Sequence, residues 1–234
     1  LPRGRPLGPP LLEKLEELKG RAAGLRPSST AGHRITVVGE PELVPAITLC
    51  PSLIRPHRFD FVLEKATELG AHAIHPVRAE RSVTQAQGRE RQGRWRRLVT
   101  EASEQCCREH RPAIEDPLAL AERVAQSAPP RTLRVVLAER EQSRRVADAL
   151  AAAEPPQQVE ILVGPEGGLT PAEMALATEH AWVPVTLGPR PLRAETAAVV
   201  VPHRIGAIHR RRQRLKIDRD TAGGVFSDVA VKVD

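Results

Sequence analysis

Two glycine-bearing segments hold the residues best suited to chemistry. The first is ILVGPEGGLTPAE, residues 161–173, and the second is VTLGPRPLRAETAA, residues 185–198. Each runs in the same order: an apolar strand, a glycine loop, then a helix start. Gly164, Gly167 and Gly168 permit close backbone approach, so exposed loop amides can bind an acceptor-rich ligand. In parallel sheets the loops after strand carboxyl ends form the ligand crevice. The spacing is neither GxGxxG nor a GxxxxGK phosphate loop, which argues against the standard dinucleotide and ATP sites. One such loop alone would read as a tight βα turn. Two on adjacent βα units, the second with Arg190, Arg193 and Glu195 clustered at a helix start, argue for a site. A cation at a helix amino terminus opposes the macrodipole, and an anionic substrate or the carboxylate of Glu195 would account for it.

The elements that must position these loops follow a regular alternation from about residue 46. AITLCPSL reads as a strand, and RFDFVLEKATELG as a helix with Phe59, Val62, Ala66 and Leu69 on one face and Gly70 at its end. AHAIHPVRA is the next predicted strand. RERQGRWRRLVTEASEQCCREH is a long helix with Trp95, Leu98, Val99, Ala102 and Cys106 inward. A short strand near Ala113–Leu118 precedes a helix to about Gln126. RTLRVVLAE, QVEILVGP and VPVTLG are further strands, and SRRVADALAAA and PAEMALATEHA further helices. The latter starts from an N-cap at Thr170 with Pro171 at N1. PLRAETAAVVVPHRIGAIHRRRQ is the last helix, with a kink expected at Pro202. The pattern predicts an α/β fold with a mainly parallel sheet. Residues 1–34 differ: a turn-rich LPRGRPLGPP, a short amphipathic helix with Leu11, Leu15 and Leu18, then a linker. ITVVGEPELVP adds one strand, and the tail 215–234, with its Gly223–Gly224 turn, is of uncertain structure.

Composition narrows the function classes. The 234 residues carry 35 Lys plus Arg against 29 Asp plus Glu, a net charge of +6 that favours a polyanionic partner. Three Phe, two Trp and no Tyr leave no rows of stacking rings of the kind single-strand-binding sheets use. The Arg-rich runs RERQGRWRR and HRRRQR would track phosphates or form solvated helix faces. No run of about 18 apolar residues predicts a membrane span. Three cysteines without CxxC spacing argue against disulfides and structural zinc, and eight histidines form no compact ligand set, so no metal is expected. A reducing cytoplasm is the expected compartment. The chain starts at Leu1 and its one Met is Met174, which reads as a processed, trimmed or misassigned start.

GPEGG followed by LGPRPLRAETA closely resembles the uridine-N3 methyltransferases of 16S ribosomal RNA, a family of the SPOUT class. EKATELGAHAIHPVRAERSV (64–83) and RWRRLVTEASEQCCREHRP (94–112) resemble it in the same order, so the likeness spans roughly residues 46–210. The resemblance implies an α/β methyltransferase domain over 46–214 with a C-terminal trefoil knot. It also implies S-adenosyl-L-methionine as cofactor, ribosomal RNA or the small ribosomal subunit as partner, and a homodimer. The apolar AAVVV run of the last helix would serve the subunit contact. By position the resemblance assigns cofactor binding to Leu137, Ala138, Gly164, Pro165, Glu166, Gly167, Gly168, Leu187, Gly188, Leu192 and Thr196. Arg193 and Glu195 would be catalytic. Lys65, Arg81, Gln105 and Arg108 would meet RNA, with Glu68 and Ser82 at RNA or the site wall. The family carries a PUA-like barrel in front; residues 1–45 read instead as an atypical or truncated version of it. Pro56, beside His57 and Arg58, stands where the family usually has Lys.

The chemistry implied requires uridine N3 to lose its proton. Arg193 would stabilise charge on the O2–N3–O4 edge, and Glu195 would orient Arg193 or take the proton directly or through water. A plain helix-terminal carboxylate would explain Glu195 equally. Two other readings stand beside this one: a SPOUT enzyme acting on a different RNA, and a catalytically weak RNA-binding protein that keeps the fold.

Overall fold

Two apolar strands far apart in sequence pair at the centre of the sheet, and the rest is laid down on either side of them. The computed structural model describes residues 45–83, 89–138 and 144–222. In chain order it shows β1 (Ala46–Pro51), α1 (Pro56–Glu68), β2 (Ala73–Ile74), β3 (Val77–Arg78), α2 (Arg89–Gln105), β4 (Ala113–Ile114), β5 (Leu118–Ala119) and α3 (Leu120–Ala125). It continues with β6 (Thr132–Leu137), α4 (Val146–Ala152), β7 (Gln158–Val163), α5 (Pro171–Glu179), β8 (Val183–Val185) and α6 (Ala194–Ala222). The main sheet has the order β4-β2-β1-β7-β6-β8, and each pairing in it is parallel. The predicted α/β class with a parallel sheet is therefore what the chain forms.

β1 and β7 match from Ala46 opposite Gln158 to Pro51 opposite Val163. After its first residue each is buried throughout, which is why both read as continuous apolar runs rather than alternating ones. Alternate residues face two helical layers. Ile47, Leu49, Val135 and Ile161 meet Phe59 and Leu63 of α1, Trp95 of α2, Leu150 of α4 and Val201 and Ile205 of α6. On the other face Cys50, Val136 and Leu162 meet Leu120 and Val124 of α3, Ala177 of α5 and Trp182. That second layer also buries charge. Glu160 accepts from Arg123 at 3.0 Å and from Arg134 at 2.9 Å, and the Arg134 guanidinium lies 5.1 Å from the Trp182 ring centroid. Burial pushes the neighbouring Cys50 thiol up to about 12, so it stays protonated and packs as an apolar group.

Several predicted elements come out differently. AHAIHPVRA is two strands in two sheets: β2 joins the main sheet, while β3 pairs with β5 in a separate two-stranded ribbon. Pro76 sits between them and cannot donate to a ladder, so the chain changes sheets there. The stretch near Ala113–Leu118 splits in the same way into β4 and β5. α2 stops at Gln105, and Cys107 adopts φ 56° in the turn that follows, so Cys106 and Cys107 lie past the helix. Cys107 is exposed and Cys106 half-buried, which corrects the expected inward Cys106. α6 continues through Pro202 to Ala222, well past the expected end of the domain. Ala197, Ala198 and Val201 of its AAVVV run are buried in the chain's own core, so most of that run is not available to a second subunit. The helix expected at 11–24 and the final VAVKV strand lie outside the described residues.

Candidate active site

β1 leads through α1 to β2 on one side, whereas β7 leads through α5 to β8 on the other. Connections leave in opposite directions at the carboxyl ends of β1 and β7, and such switch points open a crevice in parallel sheets. The three residues that meet there come from three distant parts of the chain.

Arg58 lies in the first turn of α1, which opens with Pro56 at its first helical position and has no acidic residue in that turn. Glu166 lies in the glycine loop after β7, and Glu195 in the first turn of α6. The Arg58 guanidinium is 3.7 Å from Glu166 Oε1 and 3.4 Å from Glu195 Oε1. Both oxygens of Glu166 and Oε2 of Glu195 are buried without a hydrogen-bond partner among the described residues. Two carboxylates sharing one guanidinium leave a net negative charge where water is scarce. Such a charge is costly unless something cationic or hydrogen-bonding joins it.

The loop from Gly164 to Thr170 is held from two directions. Gly168, at φ 68°, closes a turn by donating its N–H to the Pro165 carbonyl at 2.9 Å. An L side chain is strained in that backbone region. Arg81 donates to the Gly167 carbonyl at 2.9 Å. Thr170 caps α5: its hydroxyl accepts from the Glu173 amide, and the Glu173 carboxylate accepts from the Thr170 amide at 2.9 Å. The same carboxylate accepts from the Glu80 amide at 2.8 Å, and the Ser82 hydroxyl from the Ala79 amide at 3.1 Å. The turn after β3 is thereby tied to the glycine loop. The second loop starts at Thr186, whose hydroxyl bonds the amide of Gly188, itself at φ 140°. Arg204, on the third turn of α6, donates to the Leu187 carbonyl.

The expected cofactor residues thus fall on three adjoining strand ends. Leu137 and Ala138 end β6, with the Ala138 amide on the Val185 carbonyl at 3.0 Å. Gly164, Pro165, Glu166, Gly167 and Gly168 follow β7; Leu187, Gly188 and Leu192 follow β8; Thr196 is in the first turn of α6. Arg193 immediately precedes that helix and is exposed, and its carbonyl accepts from the Ala197 amide. Glu195 is engaged by Arg58 rather than by Arg193, so the expected Arg193–Glu195 pairing is not what the structure contains.

The four expected RNA contacts separate. Arg81 belongs to the loop cluster. Lys65 lies two turns beyond Arg58 on α1, about 10 Å along the axis, and is held by Glu64 at 2.6 Å and Glu68 at 2.8 Å. Those two hydrogen bonds raise its ammonium above the ordinary lysine value. Arg108 donates to the Thr67 and Ala71 carbonyls, completing the carboxyl end of α1, and Gln105 ends α2. Lys65, Gln105 and Arg108 therefore sit toward the amino ends of the strands, away from the glycine loops. Arg58 was missed as a site residue, although it stands two residues after Pro56, which departs from the family pattern.

Residues 41–206 match the RNA methyltransferase domain family. The chain is 36% identical over 173 residues to the ribosomal RNA small subunit methyltransferase E of Synechocystis sp., covering 74% of this chain and 57% of that one. It is 35% identical over 177 residues to the protein of the same name from Mycobacterium tuberculosis, covering 73% and 66%. The chain thus spans under two thirds of the length of these relatives. Among solved structures it is similar to ribosomal RNA small subunit methyltransferase E from Neisseria gonorrhoeae bound to S-adenosyl methionine. That similarity has a TM-score of 0.66 and 31% identity, over 73% of this chain and 69% of that one.

Proposed function

This chain belongs to the RNA methyltransferase domain family, and from that premise we propose that it methylates N3 of a uridine in 16S ribosomal RNA with S-adenosylmethionine as methyl donor. The observation that carries the proposal is the junction of two glycine loops with the Arg58–Glu166–Glu195 cluster at the switch point of the sheet. The relatives' names and the cofactor bound to the Neisseria protein support it. In this reading the domain is of the SPOUT class, residues 46–214 form it, and its C-terminal part is threaded as a trefoil knot. Consistent with that, β8 is the outermost strand beyond β6, yet α6 packs back across α1, β1 and β7. The same reading makes the protein a homodimer, with the small ribosomal subunit or its RNA as substrate and the cytoplasm as its compartment. Residues 1–45 are its atypical or truncated N-terminal region.

The residues present fit the cofactor. The turns at 164–168 and 186–188 present backbone groups to its adenosine and methionine parts. The orphaned carboxylate oxygens of Glu166 and Glu195 suit a cationic group. When bound, S-adenosylmethionine supplies a methyl group on a positively charged sulfur. Arg58 holds the two carboxylates together against their mutual repulsion. Arg193 places a guanidinium by the uracil edge, where it stabilises charge as N3 loses its proton. Oε2 of Glu195 has no hydrogen-bond partner among the described residues and accepts that proton directly or through water.

Incubation with labelled S-adenosylmethionine and either 30S particles or free 16S RNA, followed by nucleoside mass spectrometry, tests this. 3-Methyluridine is the expected product, and any other methylated nucleoside overturns the assignment.

A further inference from the structure

A second concavity opens beside the site, on the other flank of the α1 amino terminus. It encloses about 140 Å³ and is lined by Leu53, Ile54, Pro56, Phe59 and Trp95, with Asp60, Arg91 and Arg94 also in its wall. None of Glu166, Glu195 or Arg193 lines it. Phe59 and Trp95 pack at 4.8 Å between ring centroids with a 41° tilt and are 1% and 4% exposed, so the core fixes them and their edges floor the cleft. Arg91 and Arg94 stand one turn apart on α2. Asp60 accepts from Arg94 at 2.6 Å, which orients that guanidinium and leaves its other donors available. The α1 amino terminus adds positive potential, having neither a side-chain cap nor an acidic first turn.

Size and charge together select the occupant. An apolar cavity of about 150 Å³ accepts one benzene-sized ring. A space of 140 Å³ therefore matches a single pyrimidine-sized ring. The arginines outside it suit an anion attached to that ring. Sequence-specific proteins commonly hold single-stranded RNA by unstacked bases in apolar or aromatic pockets and by Arg on the phosphates.

We infer that this cleft holds one unstacked base of the RNA substrate beside the reaction centre, with the adjoining phosphate on Arg91 and Arg94. The inference rests on the proposed RNA substrate and deepens it. The base is a neighbour of the methylated uridine rather than the uridine itself, because neither the glycine loops nor Arg193 and Glu195 line the cleft. Holding a neighbour fixes the strand relative to Arg58 and the glycine loops, which is how a site gains positioning without touching the reacting atoms.

Trp95 makes the test direct. Trp95 is 4% exposed and Trp182 1%, so repeating the titration in Trp182→Phe assigns a change in emission on adding RNA to Trp95. A short oligouridylate should shift or quench the emission of the full chain. Arg91→Ala combined with Arg94→Ala should weaken oligouridylate binding at least tenfold. It should also lower the salt slope by about 0.7, the value for one phosphate contact on a single strand. S-adenosylmethionine affinity, read by calorimetry, should be unchanged in that variant. Unaltered emission, an unaltered salt slope, or an equal response to inorganic polyphosphate would each overturn the inference. Emission that follows protein concentration instead of RNA would make the cleft a subunit contact, which also overturns it. A chain that binds S-adenosylmethionine yet gives no Trp95 response loses the cleft but keeps the methyltransferase reading. A Trp95 response without S-adenosylmethionine binding does the reverse.

Discussion

Arg58 and Arg193 are both guanidiniums near one carboxylate, yet they hold different positions. Arg58 is half-buried and committed to Glu166 and Glu195, whereas Arg193 is exposed just before α6. If Arg193 stabilises the ionised uracil, Arg193→Ala should lower methyl transfer about a hundredfold, or ~3 kcal/mol. That deficit should shrink as pH rises, because more uridine then ionises unaided. Arg193→Lys should restore only part of the rate, since a point charge cannot fork across two acceptors. Arg58→Ala should also slow the reaction, but its loss should persist at high pH, because without Arg58 the two ionised carboxylates repel each other. Single-turnover pH–rate profiles with saturating RNA and cofactor separate the two. A profile for Arg193→Ala that runs parallel to wild type would reassign Arg193 to positioning.

The glycine loops show what an element adds to its residues. A Cβ on Gly167 would lie in van der Waals contact, 3.4 Å, with Cβ and Cδ of Arg81, so the two further methyls of Gly167→Val crowd the side chain that holds the Gly167 carbonyl. Calorimetry should show S-adenosylmethionine affinity falling at least tenfold while the melting temperature moves little, since Arg81 is exposed and not part of the core. Unchanged affinity would remove the 164–168 loop from the cofactor site. Gly168→Ala meets no neighbour but forces an L residue to φ 68°, which costs about 1–2 kcal/mol of stability. The long strands, the helices at 56–68 and 171–179 and the parallel class were legible because apolar period, proline and capping signals act locally. Thr170 and Pro171 start α5 as their types require. The division of AHAIHPVRA between two sheets was not legible, because a two-residue strand carries no period. Nor was the Arg58 cluster, because no local spacing relates residues 58, 166 and 195. The resemblance places Arg108 and Lys65 at RNA, and no local signal tells that Arg108 also donates to the Thr67 and Ala71 carbonyls or that Lys65 pairs with Glu64 and Glu68.

At the scale of the whole molecule, a buried imidazole ties stability to pH. His75 is 15% exposed, and its Nε2 lies 3.3 Å from Glu115 Oε1. That contact alone would favour protonation, but Glu115 is half exposed and solvent screens it. Burial, followed by the charge of Arg123, lowers the His75 pKa to about 4 from its ordinary 6.5. The unfolded chain binds this proton more readily, so the contribution is complete above pH 6.5 and is lost as pH falls toward 4. By pH 5 the loss is about 2 kcal/mol. Urea titrations of wild type and His75→Asn should show a shallower acid decline in the variant across that window. Equal declines would mean that other groups set the acid limb. The pairing at the centre of the sheet has a further consequence, for the chain as it is made. Thr48 of β1 accepts from Gln158 of β7 across 110 positions. At roughly 5–20 residues per second, the ribosome delivers β7 about 5–20 s after β1. Through that interval the first strand of the nascent chain lacks its long parallel neighbour and keeps an apolar edge open. Native topology cannot close until synthesis passes residue 163. Folding is therefore slow and late by construction, and a ribosome paused between α3 and β7 exposes an aggregation-prone edge that the finished protein never shows.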